Sequence, residues 1–139
     1  MRTQYGGVFP SSSRKAEVVI AAHQLFDDVS PQIRRWWTDN APEFKTASRK
    51  LRELHPFAHF CSIPHVPQSN GIIERFNRTL LEGALALLAT AAFPVTWRPL
   101  ALTMRRVMRN GFKIGKGGLA PYIRHFRRHP EFRQLSFGA

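Results

Sequence analysis

Two acidic residues in unusual surroundings constrain this chain more than any other feature. Asp39 sits in Trp37-Thr38-Asp39-Asn40-Ala41-Pro42-Glu43-Phe44, directly after Ile33 to Trp37, a short β-branched and aromatic run that reads as a strand. Glu74 sits in Pro64-His65-Val66-Pro67-Gln68-Ser69-Asn70-Gly71-Ile72-Ile73-Glu74-Arg75-Phe76-Asn77-Arg78, where a loop punctuated by two prolines and a glycine gives way to a helix. Each acid lies where regular structure meets a loop. A fold that collects distant carboxylates around a hard ion such as Mg²⁺ uses such positions. Asp39-Asn40 by itself reads equally as a plain turn, since both residues favour turns. Glu74 and Arg78, four apart, are also spaced for a surface ion pair worth about 0.2–0.5 kcal/mol.

The order of elements around these residues is that of a layered α/β chain. Tyr5 to Phe9 reads as the end of a strand, and Pro10 with Ser11, Ser12 and Ser13 breaks it and caps a helix. That helix is predicted over Lys15 to Phe26, with Ala16, Val19, Ile20, His23 and Leu25 spaced for partial burial. Ala47 to Leu54 reads as a shorter helix, Ala58 to Ile63 as a strand and Pro64 to Gly71 as a loop. Ile72 to Thr90 is a helix whose residues Ile72, Ile73, Phe76, Leu80, Ala84 and Leu87 share one face. Glu74, Arg78, Leu81 and Glu82 fall on the opposite side. Trp97 to Arg109 is a further helix, while Ala120 to Ala139, rich in Arg and His, carries no clear pattern. Alternating strand and helix predicts at least one parallel pairing, with sites outside the carboxyl ends of strands.

Charge narrows the partners. The chain has 139 residues and a formal net charge of +12, which suits a polyanion, with nucleic acid favoured over an anionic membrane surface. The excess is uneven: residues 98–139 carry ten Lys/Arg against one acid, Glu131, a net of +9. Cys61 stands alone, which excludes an internal disulfide framework and a multi-cysteine zinc site and suits a reducing compartment. No apolar run approaches the roughly twenty residues that cross a bilayer. His55 and His59, and His125 and His129, have helical spacing, but without partnering cysteines or nearby acids both pairs read as incidental. Trp36, Trp37 and Trp97 read as core rather than as platforms for bases.

The two motifs together resemble the catalytic core of retroviral and retrotransposon integrases, members of the RNase H-like polynucleotidyl transferases, over roughly Tyr5 to Asn110. The resemblance implies an α/β RNase H-like integrase core fragment, a mixed sheet flanked by helices with its first strands missing. It also implies a division into a core-like region, residues 1–110, and a basic tail, residues 111–139. Its activity would be DNA integration by metal-dependent phosphodiester cleavage and strand transfer, with Mg²⁺ or Mn²⁺ as cofactor. DNA and further copies of the chain would be its partners, without a membrane, and a nuclear location would follow if it acts on host DNA. Asp39 matches the second Asp of the family's acidic triad and Glu74 matches its Glu, 35 positions on. His65, Gln68, Ser69 and Asn70 match the loop that contacts viral DNA ends, and Arg75 and Arg78 match basic positions beside the Glu. The family's further basic residue on that face is Leu81 here.

The first Asp of the triad has no counterpart, since only Glu17, Asp27 and Asp28 precede Asp39. This predicts an N-terminally truncated core without strand-transfer activity by itself. Two other readings stay open: a non-catalytic nucleic-acid-binding module resting on the basic tail, and a decayed remnant whose sheet lacks its opening strands.

Overall fold

The computed structural model describes residues 5–27, 33–63, 71–114 and 118–131. In chain order these form α1 (Ala16–Asp27), β1 (Arg35–Thr38), α2 (Pro42–Leu54), β2 (Ala58–Cys61), α3 (Gly71–Thr90), a 3₁₀ turn (Val95–Trp97), α4 (Arg98–Phe112) and α5 (Pro121–Phe126). The chain divides into two compact units, one of Ser11–Arg75 and one of Met1–Pro10 with Phe76–Ala139.

In the unit Ser11–Arg75, serine side chains prepare the entry to α1 as expected. Ser13 Oγ accepts from the Lys15 amide at 3.3 Å, and Ser11 Oγ accepts from the Ser13 amide at 3.1 Å. Helix α2 begins five residues before the predicted start. Pro42 occupies its first turn, where a missing N–H costs nothing, and Glu43 places negative charge at the positive helix end. Ala47, Ser48 and Leu51 form its buried stripe, and α2 packs on α1. The expected burial of Leu25 does not occur; it is 56% exposed.

β1 and β2 pair in parallel, with Arg35 opposite Ala58, Trp36 opposite His59, Trp37 opposite Phe60 and Thr38 opposite Cys61. The β1–α2–β2 segment is therefore a parallel crossover unit, and these two strands are the whole sheet among the described residues. Trp36, Thr38, His59 and Cys61 line the inward face, and Arg35, Trp37, Ala58 and Phe60 the exposed one. Trp37, 59% exposed, stacks on Phe60 with ring centroids 4.7 Å apart. The expectation that Trp37 and Trp97 are core residues is thus wrong for both, since Trp97 is 46% exposed and stacks on Phe93. Period-two alternation turns Trp36 inward and Trp37 outward.

In the other unit, α3 buries Leu80, Ala84 and Leu88, spaced every fourth residue, and Ala84 and Leu88 form a cluster with Ala101, with Phe93 and Leu102 alongside. Glu82 and Leu81 face solvent as predicted, but so do Ile72 and Ile73, on the first turn of α3 that belongs to the unit Ser11–Arg75. Tyr5 to Phe9 is not a strand. The Gly6 backbone instead pairs with the side-chain amide of Asn110, which donates to the Gly6 carbonyl at 2.7 Å and accepts from its amide at 3.3 Å. Tyr5 stacks on His125 at 4.6 Å and meets Phe126 edge-on at 5.2 Å, so α5, which the sequence left unassigned, supplies an aromatic seat. Burial holds the Tyr5 hydroxyl above the usual tyrosine range.

Candidate active site

Asp39 follows the last residue of β1 and is exposed. Its position is set by a short series of hydrogen bonds. Asp39 Oδ1 accepts from the Ala41 amide at 3.1 Å, closing the turn into α2. The Thr38 hydroxyl donates to the Asp39 carbonyl at 2.9 Å and lies 2.8 Å from His59 Nε2. Asn40 Nδ2 donates to the Ser62 carbonyl at 2.7 Å, and the Ser62 amide donates to the Thr38 carbonyl at 2.8 Å. The exits of the two parallel strands are thus tied together, and Asp39 stands on their shared carboxyl edge.

Glu74 lies in the first turn of α3, exposed, where the unsatisfied amides of a helix start favour a carboxylate. The spacing to Arg78 produces no ion pair among the described residues. Arg78 is exposed one turn further on, and Arg75 Nε donates back to the Gly71 carbonyl at 3.1 Å. Asp39 and Glu74 belong to the same compact unit. His65, Gln68, Ser69 and Asn70 lie outside the described residues.

The donor chemistry at Asp39 and Glu74 fits a hydrated Mg²⁺ or Mn²⁺. Both are hard oxygen donors open to solvent, and Asp39 Oδ2 makes no hydrogen bond among the described residues. Such ions keep several waters and are commonly held by one or two carboxylates together with substrate phosphates. Among the described residues neither acid belongs to a group of three ligand side chains.

A group of three does form elsewhere in the same unit, from residues to which the sequence reading assigned no shared role. His23 Nδ1 and His55 Nε2 lie 3.3 Å and 3.2 Å from Asp27 Oδ2. His55 therefore has an acid beside it, which the reading of the His55–His59 pair as incidental did not foresee. The pair itself is not a unit: His55 ends α2, whereas His59 lies on β2 beside Thr38. The available signal was His23 and Asp27, four apart on one face of α1. Burial, with a smaller push from His55 that the Asp27 charge opposes, holds His23 below the usual imidazole range.

The basic residues of the other unit include Arg105, Arg106 and Arg109 on α4, with the Arg109 guanidinium 4.7 Å from the centroid of the Phe76 ring. On α5 and just past it, Arg124 and Arg127 add charge, and Arg128 lies 3.9 Å from Glu131 in an exposed ion pair.

No family profile matches the chain. Three curated relatives do. The chain is 28% identical over 137 residues to the retrovirus-related Pol polyprotein from transposon RE2 of Arabidopsis thaliana, covering 96% of this chain and 9% of the relative. It is 31% identical over 105 residues to that from transposon RE1 of the same plant, covering 73% and 7%. It is 35% identical over 76 residues to that from transposon TNT 1-94 of Nicotiana tabacum, covering 52% and 6%. The chain thus spans less than a tenth of the length of these polyproteins. Among solved structures, the catalytic core domain of BIV integrase superposes with a TM-score of 0.65 at 24% identity, covering 87% of this chain and 76% of that one. A chain of the simian T-cell lymphotropic virus intasome, solved with the PP2A regulatory subunit B56 gamma, superposes with a TM-score of 0.72 at 17% identity, covering 90% and 44%. No helix among the described residues is long and apolar enough to cross a membrane. In sequence this chain is akin to retrotransposon Pol polyproteins, and its fold is that of a retroviral integrase catalytic core.

Proposed function

We propose that this chain is part of the DNA-integration machinery of a retroelement, and that Asp39 and Glu74 are two of the carboxylates that hold its Mg²⁺ or Mn²⁺. The observation that carries the reading is the setting of Asp39: an exposed carboxylate at the joined exits of two parallel strands, its backbone fixed by Thr38 and Asn40. When bound, such ions activate the attacking oxygen and stabilise the leaving one at a phosphodiester. The chain's own residues bind and orient. Arg75 and Arg78, one helical turn apart beside Glu74, meet backbone phosphates, and His65, Gln68, Ser69 and Asn70 receive the DNA end. Residues 1–110 act as the core and residues 111–139 as a basic tail that adds phosphate contacts.

Manganese binding followed by electron paramagnetic resonance tests the metal role. The folded chain is expected to bind Mn²⁺ weakly, and Asp39→Asn and Glu74→Gln are each expected to abolish it. Absence of Mn²⁺ binding by the folded chain would sink the assignment. With labelled DNA and Mg²⁺ or Mn²⁺, the 139-residue chain by itself is expected neither to nick nor to join, since the family's chemistry uses a third acid. Turnover that disappears in Asp39→Asn would show that two carboxylates suffice.

A second reading, a non-catalytic nucleic-acid-binding module, is favoured by one observation: the net +9 of residues 98–139. Binding through phosphates weakens with salt at a slope of about −0.9 per neutralised phosphate on duplex DNA. That reading expects steep salt dependence which Asp39→Asn leaves unchanged; salt-independent binding would count against it.

A further inference from the structure

His23, Asp27 and His55 converge within the unit Ser11–Arg75 and take no part in the site proposed above. Their ligand atoms lie within 4.8 Å of one another, with Asp27 Oδ2 between the two rings. The separations of 3.3 Å and 3.2 Å are short, yet neither contact has hydrogen-bond geometry. Asp27 Oδ2, both nitrogens of His23 and His55 Nε2 are shut off from solvent without a hydrogen-bond partner. Buried polar atoms in native proteins are ordinarily satisfied, and a group of them converging on one point calls for an explanation such as an ion.

We propose that His23 Nδ1, Asp27 Oδ2 and His55 Nε2 bind a divalent d-block cation, zinc in the first instance, in a three-ligand site that clamps α1 to the end of α2. Donor type supports zinc over magnesium: two imidazole nitrogens are borderline ligands that zinc takes together with a carboxylate oxygen, whereas Asp39 and Glu74 offer only hard oxygens. Distance supports it too. Zinc bonds of about 2.0–2.2 Å at tetrahedral angles set neighbouring donors roughly 3.3–3.5 Å apart. The two measured edges, 3.3 Å and 3.2 Å, are close to that spacing. The third edge, between the two imidazole nitrogens, is no longer than 4.8 Å.

The surroundings have the features of an outer shell. The Ile33 amide donates to Asp27 Oδ1 at 3.4 Å, which holds the carboxylate with Oδ2 toward the imidazoles. Trp36 and Phe57 wall the His23 ring at centroid distances of 5.0 Å and 5.6 Å. Three protein ligands leave one position for a water.

Titration of Zn²⁺ into the metal-stripped 139-residue chain, followed by calorimetry, tests the proposal. One site is expected, with the visible spectrum of a tetrahedral ion when Co²⁺ takes the place of zinc, and a thermal midpoint that rises with zinc and falls back with EDTA. Asp27→Asn keeps the side-chain shape, and His55→Gln lies at a half-buried position. Each is expected to weaken zinc by more than the roughly 10–100-fold that loss of an outer-shell partner costs, with far-ultraviolet circular dichroism unchanged. Asp39→Asn combined with Glu74→Gln is expected to leave zinc binding intact, which separates this site from the one proposed for Mg²⁺. Failure of the folded wild-type chain to bind Zn²⁺ or Co²⁺ overturns the proposal. So does binding that Asp27→Asn and His55→Gln leave unaltered, or that the Asp39/Glu74 double variant abolishes.

Discussion

Thr38 Oγ1 lies 2.8 Å from His59 Nε2 and 2.9 Å from the Asp39 carbonyl, so one buried hydroxyl joins the two strands immediately before the candidate metal carboxylate. Its single proton is directed to the Asp39 carbonyl, so the oxygen accepts from Nε2–H of His59. Thr38→Val keeps the β-branched shape and deletes that oxygen. It is expected to cost about 1–3 kcal/mol in urea unfolding, because His59 Nε2 loses its partner in a half-buried setting. Thr38→Ser, which keeps the hydroxyl, is expected to recover most of the loss.

His59 also makes the fold sensitive to acid. Its own burial, then the Arg52 charge, hold its proton affinity below the usual imidazole range; Thr38, Cys61 and the Trp36 ring are its other neighbours. The unfolded chain then binds the proton more readily than the folded one. The stabilising contribution is complete above the ordinary pKa of about 6.5 and is lost as pH falls below it. The thermal midpoint is expected to drop as pH is lowered from about 7 toward 5, and His59→Gln to flatten part of that slope. A midpoint that rises on acidification would contradict this.

Asn110, 3% exposed, does for Gly6 what a neighbouring strand would do, since one side chain meets both its amide and its carbonyl. Asn110→Ala leaves both groups without partners and is expected to destabilise by about 1–3 kcal/mol. Asn110→Asp supplies two acceptors where one donor is needed. Relative to wild type it is expected to improve as pH falls and the acid gains a proton to donate.

Much of this was legible before any coordinates. Leu80 and Ala84 repeat at a helical period, and their burial needed nothing beyond that period. Asp39 at the end of a strand was readable because a β-branched and aromatic run stops there. The start of α2 was missed although Pro42 marks it, because Ala41-Pro42-Glu43 reads as loop until Pro is recognised as a first-turn residue. Tyr5 to Phe9 has strand composition, but its partner is a side chain more than one hundred positions away, which no local pattern encodes. The meeting of His55 with His23 and Asp27 depends in the same way on how α1 packs against α2.

Leu51 is the largest fully buried side chain among the described residues, and it lies on the face of α2 that carries Ala47 and Ser48. Leu51→Ala removes buried methyl groups and leaves a cavity that a helix pair relaxes into only partly. A loss of about 2–5 kcal/mol is expected. Chemical denaturation checks it, and a loss under about 1 kcal/mol would mean the site collapses or takes in water.

Ala92 holds a backbone conformation that suits glycine better. Its φ of 54° is in the left-handed region. The surrounding bonds explain why: the Phe93 amide donates to the Leu88 carbonyl at 3.0 Å and the Ala92 amide to the Ala89 carbonyl at 3.3 Å, the paired closure of a Schellman end to α3. Phe93, the residue after the left-handed position, packs against the cluster that contains Leu88, which supplies the apolar contact that accompanies this motif. An alanine in this conformation carries a cost of about 1–2 kcal/mol that glycine does not. Glycine gives part of that back through the greater freedom of its unfolded chain. Ala92→Gly is therefore expected to stabilise by up to about 1 kcal/mol and to raise the thermal midpoint, whereas Ala92→Val, β-branched, is expected to lower it. A destabilising Ala92→Gly would mean that α3 does not end in this way.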